Sequence, residues 1–489
     1  MTGTVEIPVW LIILVVVLAL LATLDRILVP SVRWFLRRKV NRAIDEVNAR
    51  LNIKIQQFKL TRRQTLIDLL TYDHKVVQAA EEHARATGTP RSIVMAQVER
   101  YAREIVPSFN AYFYFRIGYW IARRVARTFY RVRLGYSDEA GLSNIPANAT
   151  VIFVMNHRSN MDYVLVAFLA ADRTALSYAV GEWARIWPLQ SLVRASGAFF
   201  IRRNSNSHLY RRVLARYVEM ATANGVSQAV FPEGGLSRDG RLRKPKMGLI
   251  DYMVRGIDQT NDRDIYFVPV GVNYDRVLED RALLKPHDPE ARAPGRWSVI
   301  RTVVGFFIHN VGLAFRRQWY RFGYACVNFG TPVSFRQWMT RQGHNLTPVS
   351  QHERFRIVQE LTDALMKDIG DLIPVLPVSV VASVLVREDG LTEAELRRRV
   401  RELLQQLEAG GARVYIPRRT RDYAVTVGLR QLRYRGIFDE SDGLIRVNGA
   451  DRSLVLYYAN AIAHLVERCE GYAPGGAFSG NAAPAVGAL

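Results

Sequence analysis

Residues 7–24 form an eighteen-residue apolar run with Thr23 as its one mild polar interruption. A bilayer core takes about 20 apolar residues of helix. The run reaches that length if the helix continues through Val29, so 7–29 is predicted as a transmembrane anchor. A cleaved signal peptide would need a basic start and a small-residue cleavage site, but no Lys or Arg precedes Arg26 and no Ala-x-Ala follows. The next stretch, 31–131, is predicted to be mostly helical. Near its end the charges segregate. On one helix Arg116, Arg123, Arg124, Arg127 and Arg131 fall within an arc of about 100°, with Ile117, Ile121, Val125 and Phe129 on the other side. Such a face is either solvated or laid on acidic lipid, with Tyr119 and Trp120 at the interface.

From about Val132 to Trp338 short β-rich apolar runs, 151–155, 198–201, 229–231, 265–272 and 324–329, alternate with helical stretches. This alternation predicts an α/β fold. Each run opens into a polar or glycine-containing loop, where the chemistry of such folds gathers. Residues 299–317 are apolar but broken by Arg301, His309 and Asn310, which predicts a buried helix and not a second span. Further on, 391–407 is predicted as an amphipathic helix opened by a Thr392/Glu395 capping box. With 423–427 and 444–447 following it, the segment reads as a winged-helix-like α+β module, and 454–467 closes it as a helix. The predicted organisation is an anchor at 7–29, a helical region at 31–131 and an α/β domain at 132–340. A helical or winged-helix-like C-terminal domain at 345–470 and a disordered Gly/Ala/Pro-rich tail at 471–489 complete it.

Composition narrows the reading. The 489 residues are 49% hydrophobic and 23% charged, which excludes a disordered chain and a polytopic membrane protein. A net charge of +22 favours anionic partners: phosphorylated metabolites, acidic lipid or nucleic acid. Arg33, Arg37, Arg38, Lys39 and Arg42 crowd behind the anchor, while Glu6 is the one charged side chain before it. Positive-inside reasoning therefore places the C-terminal bulk in the cytoplasm. Cys326 and Cys469 make neither a disulfide framework nor a zinc site and fit a reducing compartment. No metal-ligand spacing, P-loop or dinucleotide fingerprint occurs.

Four blocks carry the candidate chemistry. Asn156-His157-Arg158-Ser159-Asn160-Met161-Asp162 follows the first buried strand. Within one helix His157 and Asp162 would lie about 140° apart. A turn with Asp162 near a helix start would instead bring the carboxylate to the ring, fixing its tautomer and stabilising the imidazolium. Gly197-Ala198-Phe199-Phe200-Ile201-Arg202-Arg203 delivers two guanidinium groups at a strand end, suited to bidentate phosphate binding. The third block runs from Phe231-Pro232-Glu233-Gly234-Gly235 through Arg241-Leu242-Arg243-Lys244-Pro245-Lys246, joining close-approach glycines to cations. The fourth, Phe267-Val268-Pro269-Val270-Gly271-Val272-Asn273-Tyr274, is a strand whose proline is expected to shape an acyl or pantetheine wall. Ser237 is not a nucleophile elbow, because Gly235-Leu236-Ser237-Arg238-Asp239 lacks the second glycine.

In sequence and order these blocks resemble the membrane-bound glycerol-3-phosphate acyltransferase family, in the branch that includes dihydroxyacetone-phosphate acyltransferases. The resemblance covers roughly 130–340, and Val375-Leu376-Pro377-Val378-Ser379 and Tyr457-Tyr458-Ala459-Asn460 extend it more weakly. It implies an acyltransferase-type mixed sheet flanked by helices. It also implies transfer of an acyl group from acyl-CoA or acyl-carrier protein to the primary hydroxyl of glycerol 3-phosphate, with no other cofactor and no metal. His157 and Asp162 would be catalytic. Arg158, Arg202, Arg203, Glu233, Gly234, Gly235, Ser237, Arg238 and Lys246 would bind substrate. The setting would be the cytoplasmic face of a bacterial inner membrane, with acidic lipids as partners and no nucleic acid. One departure stands out: the family often has arginine two residues after the first glycine of the third block, and here Leu236 stands there. Arg238 and Lys246 are the cations available to replace it.

Two acceptors compete within the class, dihydroxyacetone phosphate and 1-acylglycerol 3-phosphate. Outside it stand an inactive membrane scaffold and a nucleic-acid-binding membrane protein. The latter would use the eleven arginines that face three acids between Arg397 and Arg435.

Overall fold

The computed structural model describes residues 56–170, 174–181, 189–202, 205, 207–255, 263–285, 322–344, 350–388, 390–416 and 420–469. The predicted anchor at 7–29, the apolar stretch at 299–317, Arg203 and the tail lie outside the described residues. Among the described residues no helix is long and apolar enough to cross a membrane.

The centre is an eight-stranded mixed sheet. Its strands are β1 (Arg131–Ser137), β2 (Thr150–Met155), β3 (Ser177–Val180), β4 (Phe199–Phe200), β5 (Gln228–Val230), β6 (Ile265–Tyr274), β7 (Tyr324–Phe329) and β8 (Val333–Ser334). The order is β1-β7-β6-β2-β5-β3-β4, with β8 beside β6. β6 runs antiparallel to β7 and β8, and the other pairings are parallel. β2 is buried along its whole length, and apolar after Thr150, because both of its faces are covered. One face packs with Met161, Leu165 and the C-terminal helices, the other with the N-terminal helices and the helix His208–Ala223.

Pro269 sits inside β6, the strand of the fourth block. It lies in β6 between the residues paired with β8, Tyr266 and Phe267, and those paired with β7, which begin at Val270. Its missing N–H thus falls at the changeover between two partners. Its ring packs at Gly330.

The helical N-terminal region is present from Gln57 onwards, but its basic end is not one helix. After Arg91–Ile105 the chain breaks, resumes as a π-helical turn, Phe113–Gly118, and continues as Tyr119–Phe129. Arg131 has already entered β1. Arg116, Arg123, Arg124 and Arg127 are exposed, and so are Ile117, Trp120 and Ile121.

At the C-terminal end the element order is Pro377–Arg387, β9 (Leu391–Thr392), Glu393–Ala409, Arg421–Arg433, then the hairpin β10 (Phe438–Ser441) and β11 (Leu444–Val447). β11 also pairs with β9. The Thr392/Glu395 capping box is formed, with the helix beginning at Glu393. Residues 423–427, expected in the wing, lie instead inside the helix Arg421–Arg433. Ala424, Val425, Val427, Gly428, Leu429 and Leu432 line its buried side, so helical packing overrides a local β preference. The strand falls at Phe438–Ser441. The closing helix is two pieces, Arg452–Asn460 and Ala463–Val466. The apolar side chains of these helices join those of β2, β6 and β7 in one continuous core.

Candidate active site

The site is built at the end of β2. The Asn156 amide takes over the ladder where the strand stops: Nδ2 donates to the Val272 carbonyl (2.9 Å), and Oδ1 accepts from the Val272 N–H (2.8 Å). His157 is then gripped through its backbone. Its N–H donates to Glu233 Oε1 (2.8 Å), and its carbonyl accepts from the Ser237 N–H (3.1 Å).

The next residues turn around Asp162, the second residue of the helix Met161–Ala170. Asp162 Oδ2 accepts from the Arg158 N–H (2.7 Å) and the Ser159 N–H (3.0 Å), and lies 2.9 Å from His157 Nδ1. Oδ1 accepts from the Tyr274 hydroxyl at 2.5 Å. The five-residue spacing closes because three of its residues form a loop and not a helical turn. A carboxylate at Nδ1 places the ring proton there and leaves Nε2 with its lone pair. Nε2 is buried and has no partner among the described residues. The ring lies 4.2 Å from the Phe231 ring and meets Tyr163 edge-on at 5.4 Å, which fixes its plane.

Glu233 is a strut. Its second oxygen accepts from the Arg243 N–H (3.1 Å), so its carboxylate ties the His157 loop to the basic loop. Burial pushes it up to about 7, and the same cause lifts Asp275 to about 7. Both acids hold their proton more tightly in the folded chain than in the unfolded one, where a carboxylate titrates near ~4. Their contribution therefore favours folding at low pH and is lost as the pH rises from that range through 7. Urea midpoints are expected to rise between pH 8 and pH 6, with a shallower dependence in Glu233→Gln.

The rest of the third block is closed on itself. Gly234 adopts φ +67°, and the Lys246 side chain crosses where a Cβ would stand. Gly235 is buried. Ser237 Oγ donates to the Arg241 carbonyl (2.7 Å) and approaches Asp239 Oδ1 (3.2 Å), so it organises the turn. Arg238 and Lys246 are exposed. Arg158 is buried over the Tyr457 ring, 4.9 Å from its centroid, and bonded to the Gly240 carbonyl; its Nε and Nη2 have no partner among the described residues. Arg202 is not brought into this cluster as a free cation. Its Nε and Nη2 donate to Glu104 (2.9 and 2.7 Å), and it stacks on Tyr101 and Tyr210.

Sequence reasoning missed a support behind the His157 loop. Ser159 Oγ donates to Glu279 (2.8 Å), and the Asn160 N–H donates to the other Glu279 oxygen (3.1 Å). The neighbouring Asp280 pairs with Arg435 (2.7 Å) and accepts from the Tyr458 hydroxyl. That hydroxyl also accepts from the Val277 N–H (3.0 Å) and from Arg435 (3.1 Å). Asn460 donates to the Asp239 carbonyl (2.8 Å). The Tyr457-Tyr458-Ala459-Asn460 string was the one signal pointing here. Tyr458→Phe is expected to cost about 1–3 kcal/mol of stability, since three buried partners lose a bond. It should also lower turnover with little change in acceptor KM. Turnover left intact in a destabilised variant would show that the support does not reach the site.

Two family models match in tandem, Acyltransferase over residues 138–273 and Glycerol-3-phosphate acyltransferase C-terminal region over 311–467. On both stretches the chain is similar to the glycerol-3-phosphate acyltransferase family. Both models span pieces of the geometry above: His157, Asp162 and Glu233 lie in the first, Arg435 and Tyr458 in the second. The glycerol-3-phosphate acyltransferase of Haemophilus ducreyi is 26% identical over 83% of this chain and 50% of its own length. That of Aeromonas hydrophila is 27% identical over 84% and 52%. The chain thus spans about half the length of the curated relatives it matches. A 1-acyl-sn-glycerophosphate acyltransferase structure from Thermotoga maritima aligns with 63% of this chain and 96% of its own at 18% identity. Its TM-score of 0.31 is too low to establish a shared fold.

Proposed function

We propose that this chain moves a fatty acyl group from acyl-CoA or acyl-carrier protein to the primary hydroxyl of glycerol 3-phosphate. The observation that carries the reading is the buried His157–Asp162 pair, with Nδ1 held at 2.9 Å and Nε2 unpartnered. In this mechanism Nε2 takes the hydroxyl proton as the oxygen attacks the thioester carbonyl. The tetrahedral intermediate collapses, the C–S bond breaks, and the leaving thiolate recovers the proton from the imidazolium. No acyl-enzyme forms. The Glu233-Gly234-Gly235 turn is the proposed oxyanion side. The unpartnered edge of Arg158, with Arg238 and Lys246, supplies positive charge for the acceptor phosphate in place of the arginine missing at Leu236. Arg202 would have to leave Glu104 to contribute.

The apolar run at 7–29 and the cations behind it support a single anchor that keeps the catalytic domain at the cytoplasmic face, with acidic lipid against Arg116, Arg123 and Arg124. The C-terminal order of helix, strand, two helices and hairpin supports a winged-helix-like module. Its arginines are largely spoken for: Arg397, Arg398, Arg399, Arg401, Arg421, Arg433 and Arg435 all sit in ion pairs. That favours the enzyme reading over nucleic-acid binding.

The test uses protein in lipid or detergent with long-chain acyl-CoA, and separately with acyl-carrier protein. Glycerol 3-phosphate, dihydroxyacetone phosphate and 1-acylglycerol 3-phosphate are the acceptors, each run beside His157→Ala. Product from glycerol 3-phosphate, lost in the variant, is expected. Product from another acceptor would reassign the substrate, and no product from any would remove the enzyme reading.

A further inference from the structure

A second cationic site lies outside the His157 cluster. The helices His208–Ala223, Gly248–Val254 and Gln351–Leu372 pack together and leave between them a cavity of about 440 Å³. Arg211, Arg212, Arg255 and Arg354 line it with His208 and Tyr252, against one carboxylate, Asp251. None of these residues takes part in the His157, Asp162 and Glu233 geometry.

The four guanidinium groups are held in two different ways. Asp251 is buried and grips two of them: Arg354 Nε donates to Oδ1 (2.9 Å) and Arg255 Nε to Oδ2 (2.9 Å). Those two are thereby anchored on separate helices, and one negative charge is shared between two positive ones. Arg211 and Arg212, the fourth and fifth residues of their helix, are exposed and have no carboxylate partner among the described residues. Arg255 also stacks on Tyr252 (5.0 Å) and Arg354 on Phe355 (5.5 Å), which keeps their planes fixed. Four cations against one anion around a concave space is an arrangement that self-repulsion disfavours unless an anion enters. Preset guanidinium forks match the oxygens of a phosphate group.

We propose that this cavity binds a phosphate-bearing anion. The cavity takes the phosphate, and the rest of the molecule extends into solvent or along the membrane surface. Two sources share that chemistry, the nucleotide phosphates of a coenzyme and the headgroup of an acidic phospholipid.

The experiment is arginine modification by phenylglyoxal on the full chain, with the rates at Arg211 and Arg212 followed by peptide mass spectrometry. Probes are inorganic phosphate, free coenzyme A, and phosphatidylcholine vesicles with or without phosphatidylglycerol. Each is also titrated by calorimetry against the wild type, the Arg211→Gln/Arg212→Gln double variant and His157→Ala. Inorganic phosphate is expected to slow modification of both arginines. The double variant should weaken phosphate binding by about tenfold or more, and His157→Ala should leave it unchanged. Stronger protection by coenzyme A assigns the nucleotide source, and protection by the phosphatidylglycerol vesicles assigns the lipid. Arg211 and Arg212 modified at one rate with every probe would overturn the proposal. So would phosphate binding indifferent to the double variant. Neither readout needs turnover, so the site stands or falls separately from the acyl-transfer reading.

Discussion

His157→Ala is expected to lower acyl transfer by about 10²–10⁴-fold, the usual worth of a general base, with the protein still folded. The fold should survive because the contacts that hold this position are backbone ones, to Glu233 and Ser237. Asp162 also keeps three donors when the ring is gone: the Tyr274 hydroxyl and the N–H groups of Arg158 and Ser159. The loss should fall on turnover and not on acceptor KM, since the imidazole meets the reacting hydroxyl and not the phosphate. A melting curve like the wild type with product formation abolished is the expected pair of results. Near-normal turnover would dismiss His157 as the base.

Asp162→Ala is expected to be the larger loss of stability, about 3–5 kcal/mol, because it strands several buried donors at once. The Tyr274 hydroxyl, two N–H groups and the His157 ring all face this one carboxylate, which has no solvent exposure. The groups bonded to it meet it as donors, so its removal takes the same acceptor from all of them. The loop 158–160 should loosen, and activity should be lost through both the wrong tautomer and the misplaced ring. Denaturant unfolding of Asp162→Ala beside His157→Ala separates the two roles. Equal stability in the two variants would mean that Asp162 serves the imidazole and not the loop.

The two variants mark the boundary between what local sequence and distant packing control. That His157 and Asp162 meet was legible, because a loop of five residues, 156–160, between a buried strand and a helix start leaves few other places for the carboxylate. The capping box at Thr392 and Glu395 was legible for the same reason. The run at 423–427 misled, because its β-rich composition is local whereas its burial against the helix Pro377–Arg387 is not. The position of Pro269 between two antiparallel partners likewise cannot be read from the strand that contains it.

The sequence by itself determined the α/β alternation, the strand-end blocks and the pairing of imidazole and carboxylate. These depend on periodicity and on contacts within a few residues, which the chain specifies wherever it lies. Tertiary structure alone decided that Glu233 would join two loops, with its oxygens taken by N–H groups from each of them. It decided that Glu104 would claim Arg202 from 98 residues away, and that Tyr458 would brace Asp280 from 178 residues away. Each of these is a polar group wholly or partly withdrawn from water that must find a partner. Which partner it finds depends on how helices and strands far apart in the chain come to share one core.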